Sequence, residues 1–170
     1  DMYKTLIVTS ETTNADIVYC DAQTIWEDGQ TENDTWSVFS NNKMLTVKDI
    51  TPFELRQMAG SVWRGLYKKK TGKNIFFPQG LKFSEDRFYN LQWIAASEKI
   101  YYIKQPFYYR YMRSDSCVNS FHSDATDIIY KASTLINNFV LKHFGDDYLS
   151  IFEQQSLCLA LQSFYGVFVS

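Results

Sequence analysis

Two adjacent carboxylates, Glu85 and Asp86, follow Ser84 at a predicted helix start and form the most informative short motif in the sequence. Backbone N–H groups of a first helical turn hold negative charge, so one carboxylate of such a pair can be directed into a cleft for proton transfer. The bland alternative is that both residues serve only the helix dipole after a Ser N-cap, at about 0.3–1 kcal/mol each. The 13 Phe, 12 Tyr and 4 Trp provide ring surfaces for a dense core and, equally, for stacking on flat or sugar-like ligands. Cys20, Cys117 and Cys158 are an odd set without C-x-x-C spacing, which argues against a zinc site or a disulfide framework and fits reduced thiols in the cytoplasm. Lys plus Arg number 17 against 19 for Asp plus Glu, a net charge of −2. No global positive field therefore draws the chain to nucleic acid or anionic lipid, and any anion site must be local.

The elements that hold these residues must come from a chain of 170 residues, 45% hydrophobic and 21% charged, which suits one globular core. Met2, Leu6 and Ile7 predict a short helix that exits through the polar stretch 9–14, and Asp16 to Asp21 reads as a buried strand. The polar segment 27–42 lacks periodicity and predicts a surface loop or irregular hairpin, a candidate mobile flap. Thr51-Pro52-Phe53-Glu54 carries a capping box with Pro at the first helical position, for a helix ending near Gly60. Val62, Trp63, Leu66 and Tyr67 predict an amphipathic turn or two within 61–70, closing on Lys68, Lys69 and Lys70. Ser84 opens a helix with Phe88, Leu91, Trp93 or Ile94, and Ala95 on its apolar face. Residues 99–111, broken by Pro106, read as two short strands or one kinked strand, followed by a polar turn at Arg113-Ser114-Asp115-Ser116. Two helices, 123–144 and 146–169, are separated at Gly145 and should pair. The apolar run 151–169 is interrupted by Glu153, Gln154, Gln155 and Gln162 and is not a membrane span.

Four segments in this order carry a resemblance. Met2-Tyr3 leading into Asn14-Ala15-Asp16-Ile17-Val18-Tyr19-Cys20 is similar to the helix and strand after the metal-binding D-x-D of the family-2 glycosyltransferases of bacterial surface-polysaccharide synthesis. Val62-Trp63-Arg64-Gly65-Leu66-Tyr67 resembles that family's W-x-x-L-Y segment, and Ile75 through Pro78 to Ser84-Glu85-Asp86-Arg87-Phe88 its I-x-F-P and E-D-x-x-F block. Residues 99–103, Phe107-Tyr108-Tyr109-Arg110 and 113–116 resemble its closing strand and Y-Y-x-R turn.

The resemblance implies an α/β fold: residues 1–118 as the acceptor-side portion of a GT-A domain, and residues 119–170 as a C-terminal helical extension packed on it. It implies an inverting transfer of sugar from a nucleotide-diphosphate donor to a glycan or lipid-linked acceptor, with Asp86 as the base and Glu85 orienting the acceptor or Asp86. The roles of those two are exchangeable. Trp63 would give a flat face to an acceptor sugar, with core packing as the competing use. Arg110 and Arg113 would meet the leaving diphosphate, with solvated strand-end cations as the alternative. Asp1 aligns several residues downstream of the D-x-D, so the Mg or Mn ion expected of an intact enzyme would be held outside this chain, which starts without Met and reads as part of something longer. Within it, Asp146-Asp147 reads as helix capping, neither His122 nor His143 completes a metal set, and no metal site is predicted.

Lys68 to Lys70 with Lys73 form a basic cluster that suits membrane phospholipid or a lipid-diphosphate acceptor, at the inner face of the membrane, or else is a solvated helix end. The apolar face of 123–169 exceeds what one helix pair buries on itself, which predicts packing on the α/β body and self-association. The rival reading is a carbohydrate-binding or protein-interaction module without donor chemistry.

Overall fold

A computed structural model describes residues 1–34, 36, 38–112 and 125–164. The opening helix α1 spans Met2–Thr13, extending into the polar stretch 9–14 predicted as its exit. Its threonines explain the extension: the Thr12 and Thr13 hydroxyls donate to the carbonyls of Val8 and Thr9 at 2.8 and 2.6 Å, so the polar run is satisfied inside the helix. Asn14, in the left-handed region at φ 54°, ends it.

Strand β1 (Ile17–Trp26) is the spine of a five-stranded mixed sheet and continues well beyond the expected Asp21. The hairpin strand β2 (Thr31–Asp34) and the short strand β4 (Gly65–Tyr67) lie antiparallel along one edge of β1, at Ala22–Ile25 and Ile17–Tyr19 respectively. Along the other edge runs β5 (Lys99–Met112), parallel to β1, with β3 (Lys43–Thr46) antiparallel beyond it. The register of β1 against β5 shifts around Asp21, opposite Pro106. Proline cannot donate to a ladder, so the single kinked strand, rather than two strands, is the outcome.

Residues 61–70 are not the amphipathic helical turns their spacing predicts. A 3-10 turn at Val62–Arg64 passes directly into β4, and the Lys68 N–H donates to the Asp16 carbonyl at 2.8 Å. Pairing with β1 overrides a local pattern that has too few residues to propagate a helix.

Residues 17–22 of β1 are all buried, successive side chains on opposite faces of the sheet. Ile17 and Tyr19 enter the main core with Leu55, Leu91, Ile94, Ile100 and Tyr102, while Val18 and Cys20 pack with Leu6, Ala15 and Ile103 beneath α1. Within the segment 27–42 the exposed turn and β2 form the surface hairpin, one of its two predicted forms, but the segment is anchored to the sheet rather than a flap. Trp36 and Phe39 are 5% and 2% exposed, with Trp36 stacked on Tyr102 at 5.4 Å and edge-on to Tyr19 at 5.0 Å. Large rings bury more apolar area than the polar flank loses, and they pin the segment to the sheet.

The main core is closed by α2 (Pro52–Met58), α3 (Glu85–Ala96), α4 (Ala125–Phe144) and α5 (Asp146–Phe164). The α2 capping box is formed as predicted: Thr51 Oγ1 accepts from the Glu54 N–H and the Glu54 carboxylate accepts from the Thr51 N–H. Gly145, at φ +94°, divides α4 from α5, and Ile136, Val140 and Phe152 of this pair enter the same core as the sheet. The predicted turn at 113–116, with Arg113, Cys117 and His122, lies outside the described residues. No described helix is long and apolar enough to cross a membrane.

Candidate functional site

Helix α3 sets the position of Glu85 and Asp86. Ser84 is not the side-chain cap expected of it: it makes no capping hydrogen bond and stands in the left-handed region at φ 57°, turning the chain sharply into α3. A non-glycine residue in that region carries backbone strain, here directly beside the carboxylate pair. Both acids fall in the first turn, at the positive end of the helix dipole.

Asp86 is half-buried, and its Oδ1 accepts from the Arg87 N–H at 2.7 Å. Burial pushes the Asp86 pKa above the usual carboxylate value; the Arg87 N–H opposes the shift and the neighbouring Glu85 charge adds to it. Burial also lowers the pKa of the Arg87 guanidinium, with Asp86 opposing and Arg56 adding to the effect.

One turn further on, Asn90 anchors α3. It is fully buried; its Oδ1 accepts from the hydroxyls of Tyr19 and Tyr67 at 3.0 and 2.6 Å, and its Nδ2 donates to the carbonyls of Met58 and Ala59 at 3.3 and 3.2 Å. This one side chain ties α3 to β1, β4 and the end of α2. It brings the 62–67 and 84–88 segments together through Tyr67, on which Asp86 acts electrostatically. Nothing in the local sequence singles out Asn90 except a polar residue among the apolar positions of α3.

From Ser97, beside the start of β5, α3 runs back past Trp93 and Asn90 to Asp86. That direction leads toward the carboxyl ends of the parallel strands β1 and β5, the side where open α/β sheets take ligands. Trp63 is half-buried there, its ring 4.5 Å from Tyr108 and 5.0 Å from the Arg64 guanidinium, so part of its surface is already in use. Arg64 itself is 2% exposed, pairs with the Asp34 carboxylate and donates to the Asp34 carbonyl at 3.1 Å. Nearby, the fully buried Asp21 accepts from the Tyr102 hydroxyl, and burial raises its pKa.

Arg110 donates to Thr24 Oγ1 at 3.1 Å and lines a cleft of about 310 Å³ with Trp26, Glu32, Asn33 and Asp34. No motif marks this cleft, because its residues come together only when β1, β5 and the segment predicted as a surface loop or irregular hairpin pair. A larger cleft, about 680 Å³, opens at the far end of α3, where Ser97, Glu98, His143 and Tyr148 contribute to its walls. It is a full helix length from Asp86. Among the described residues no three His, Cys, Asp or Glu side chains converge to hold a metal. A divalent cation has no fitting donor set among these residues.

The mixed sheet with helices on both faces is a glycosyltransferase-like fold. The chain is similar to S. aureus TarS 1–349 solved in complex with UDP, with a TM-score of 0.66 and 14% identity over 100% of this chain and 47% of that one. For TarS 1–349 in complex with UDP-GlcNAc the TM-score is 0.61 and the identity 17%, over 96% of this chain and 44% of that one. The chain thus spans less than half the length of these structures, and at such identities the likeness is one of fold. No protein-family model and no curated protein matches the sequence.

Proposed function

We propose that the chain is the acceptor-side part of a nucleotide-sugar glycosyltransferase that transfers with inversion to a glycan or lipid-linked acceptor. The observation that carries this reading is the desolvated Asp86 at the head of α3, in a fold shared with a protein that binds UDP-GlcNAc. An acceptor hydroxyl is a poor nucleophile. As its oxygen bonds to the anomeric carbon and the bond to the diphosphate breaks on the opposite face, its proton passes to Asp86. Oδ1 is engaged by the Arg87 N–H, which leaves the other carboxylate oxygen for that proton. A raised pKa makes the ionised Asp86 carboxylate a stronger base than that of an exposed aspartate. Glu85 orients the acceptor or tunes Asp86.

Arg110 stands in a cleft that also holds Glu32 and Asp34. Glu32 repels a diphosphate and Asp34 is already paired with Arg64, so the cleft favours sugar hydroxyls, with Arg110 as donor and Glu32 and Asn33 as planar hydrogen-bonding partners. Arg110 therefore serves the acceptor glycan in this reading, and Trp63 lies on the same side. In this reading a divalent cation and the nucleotide would be held by groups other than the described residues.

The test is Asp86→Asn in the full-length protein. Transfer is expected to fall by about 100-fold or more with donor affinity retained, the usual loss for a general base. Near-normal turnover would overturn the assignment; unchanged sugar binding without turnover in the wild type would leave the carbohydrate-binding module as the better reading.

A further inference from the structure

Between Leu55 and Ser84 there is no carboxylate, while Arg56, Arg64 and five lysines fall in the same stretch of a chain whose net charge is −2. Arg64 is buried against Asp34, and Lys68 reaches Asn14 beside the Asp16 carboxylate. Lys69, Lys70, Lys73 and Lys82 remain as exposed cations with no ion-pair partner among the described residues. They do not decorate a helix end, since β4 gives way at residue 68 to turns and irregular backbone. Interleaved with them, Phe76, Phe77 and Phe83 are 70%, 49% and 36% exposed.

Exposed phenylalanines on an unstructured tail would mean little, but this segment is pinned. The Thr71 hydroxyl donates to Asp16 Oδ1 at 2.8 Å, and Gly72 lies so close to the Trp93 ring that a Cβ there would clash with it. Gln92 donates to the Phe76 carbonyl at 3.3 Å, and the Phe77 ring stacks on Tyr89 at 4.0 Å. The backbone is thus held while the Phe76 ring is offered to solvent. Rings that enter the headgroup and acyl boundary, flanked by lysines whose long stems reach the phosphates, are the combination by which proteins rest on a membrane. We propose that residues 69–83 are a docking surface for an anionic lipid bilayer. The occupant follows from charge complementarity: a free polyanion would satisfy the lysines but leave the phenylalanines in water. This goes beyond the proposed sugar transfer and does not depend on the role of Asp86.

The experiment is flotation of the full-length protein with vesicles of phosphatidylcholine alone and with about one-third phosphatidylglycerol. Binding is expected only to the anionic vesicles, with release at about 1 M salt, where the screening length is about 3 Å. Each lysine near an anionic surface is worth about fivefold in partitioning, so Lys69→Gln with Lys70→Gln and Lys73→Gln should weaken binding about 100-fold. Phe76→Ser, at a side chain with no ring partner, should weaken it about tenfold with an unchanged circular dichroism spectrum. Equal binding to neutral vesicles, undiminished binding by the lysine variant, or capture of soluble polyphosphate with vesicles left unbound would each overturn the proposal.

Discussion

Asn90→Ala should cost the fold about 3 kcal/mol. The wild-type amide accepts from the Tyr19 and Tyr67 hydroxyls and donates to the Met58 and Ala59 carbonyls, and it is wholly shielded from water. After truncation, Tyr67 keeps the Val62 carbonyl at 3.1 Å, but the Tyr19 hydroxyl and the two carbonyls lose this partner. A stranded buried polar group costs about 1–3 kcal/mol, and three at the lower bound give the stated figure. For a protein of this size, each kcal/mol lowers the melting temperature by about 2–4 °C, so a drop of about 6–12 °C is expected. Urea unfolding read by tryptophan fluorescence gives the free energy, with the m-value checking that two-state behaviour persists. Tyr19→Phe in the wild type should cost about 1 kcal/mol, and next to nothing once Asn90 is alanine, because the hydroxyl has by then lost its acceptor. A loss below about 1 kcal/mol for Asn90→Ala at unchanged m, or full additivity with Tyr19→Phe, would refute the network as the anchor of α3.

Two further outcomes follow from the same region. Because burial and the Glu85 charge both raise the Asp86 pKa, and Asp86 must be ionised to accept a proton, transfer should rise with pH through that raised value. Glu85→Gln removes one cause and should move this acidic limb to lower pH in initial-rate profiles; no shift, or an upward one, would contradict the coupling. Gly72→Ala would place a methyl group 2.2 Å from the Trp93 ring, and thermal unfolding should show a loss of about 1–3 kcal/mol from overpacking. A neutral result would mean that the loop at 69–83 is not seated on α3.

Features written in short-range chemistry were legible in the sequence. The Thr51 and Glu54 capping box, the break at Gly145 and the helix behind Ser84 depend on residues within four positions of one another, and all three formed. What escaped reading was decided by partners far along the chain. Trp36, Val38 and Phe39 lie in an otherwise polar stretch, and contacts with the distant Tyr19 and Tyr102 account for the burial of the two rings. Val62 to Tyr67 carries a helical spacing that β1 overrules by offering an open edge. At the site, the Glu85 and Asp86 pair was visible as a motif, but its seat was not: an asparagine inside an apolar helix face gives no local sign that two tyrosines and two carbonyls converge on it. The cleft around Arg110 escaped for the same reason, since its other walls belong to the β1–β2 hairpin.

The parallel pairing of β1 with β5 has a consequence for how the chain is made. Asp16 receives the backbone N–H of Lys99, a residue 83 positions later. At ribosomal rates of roughly 5–20 residues per second, β1 waits roughly 4–17 s for its longest partner to be synthesised. During that interval β2 and β4 can cover one edge, and α1 one face, while the other edge and the face carrying Ile17 and Tyr19 stay open to any passing strand. The nascent protein is therefore most vulnerable to misassembly before Met112 has left the exit tunnel, and a chaperone that holds an extended apolar segment would find its best target at Ile17 to Ala22.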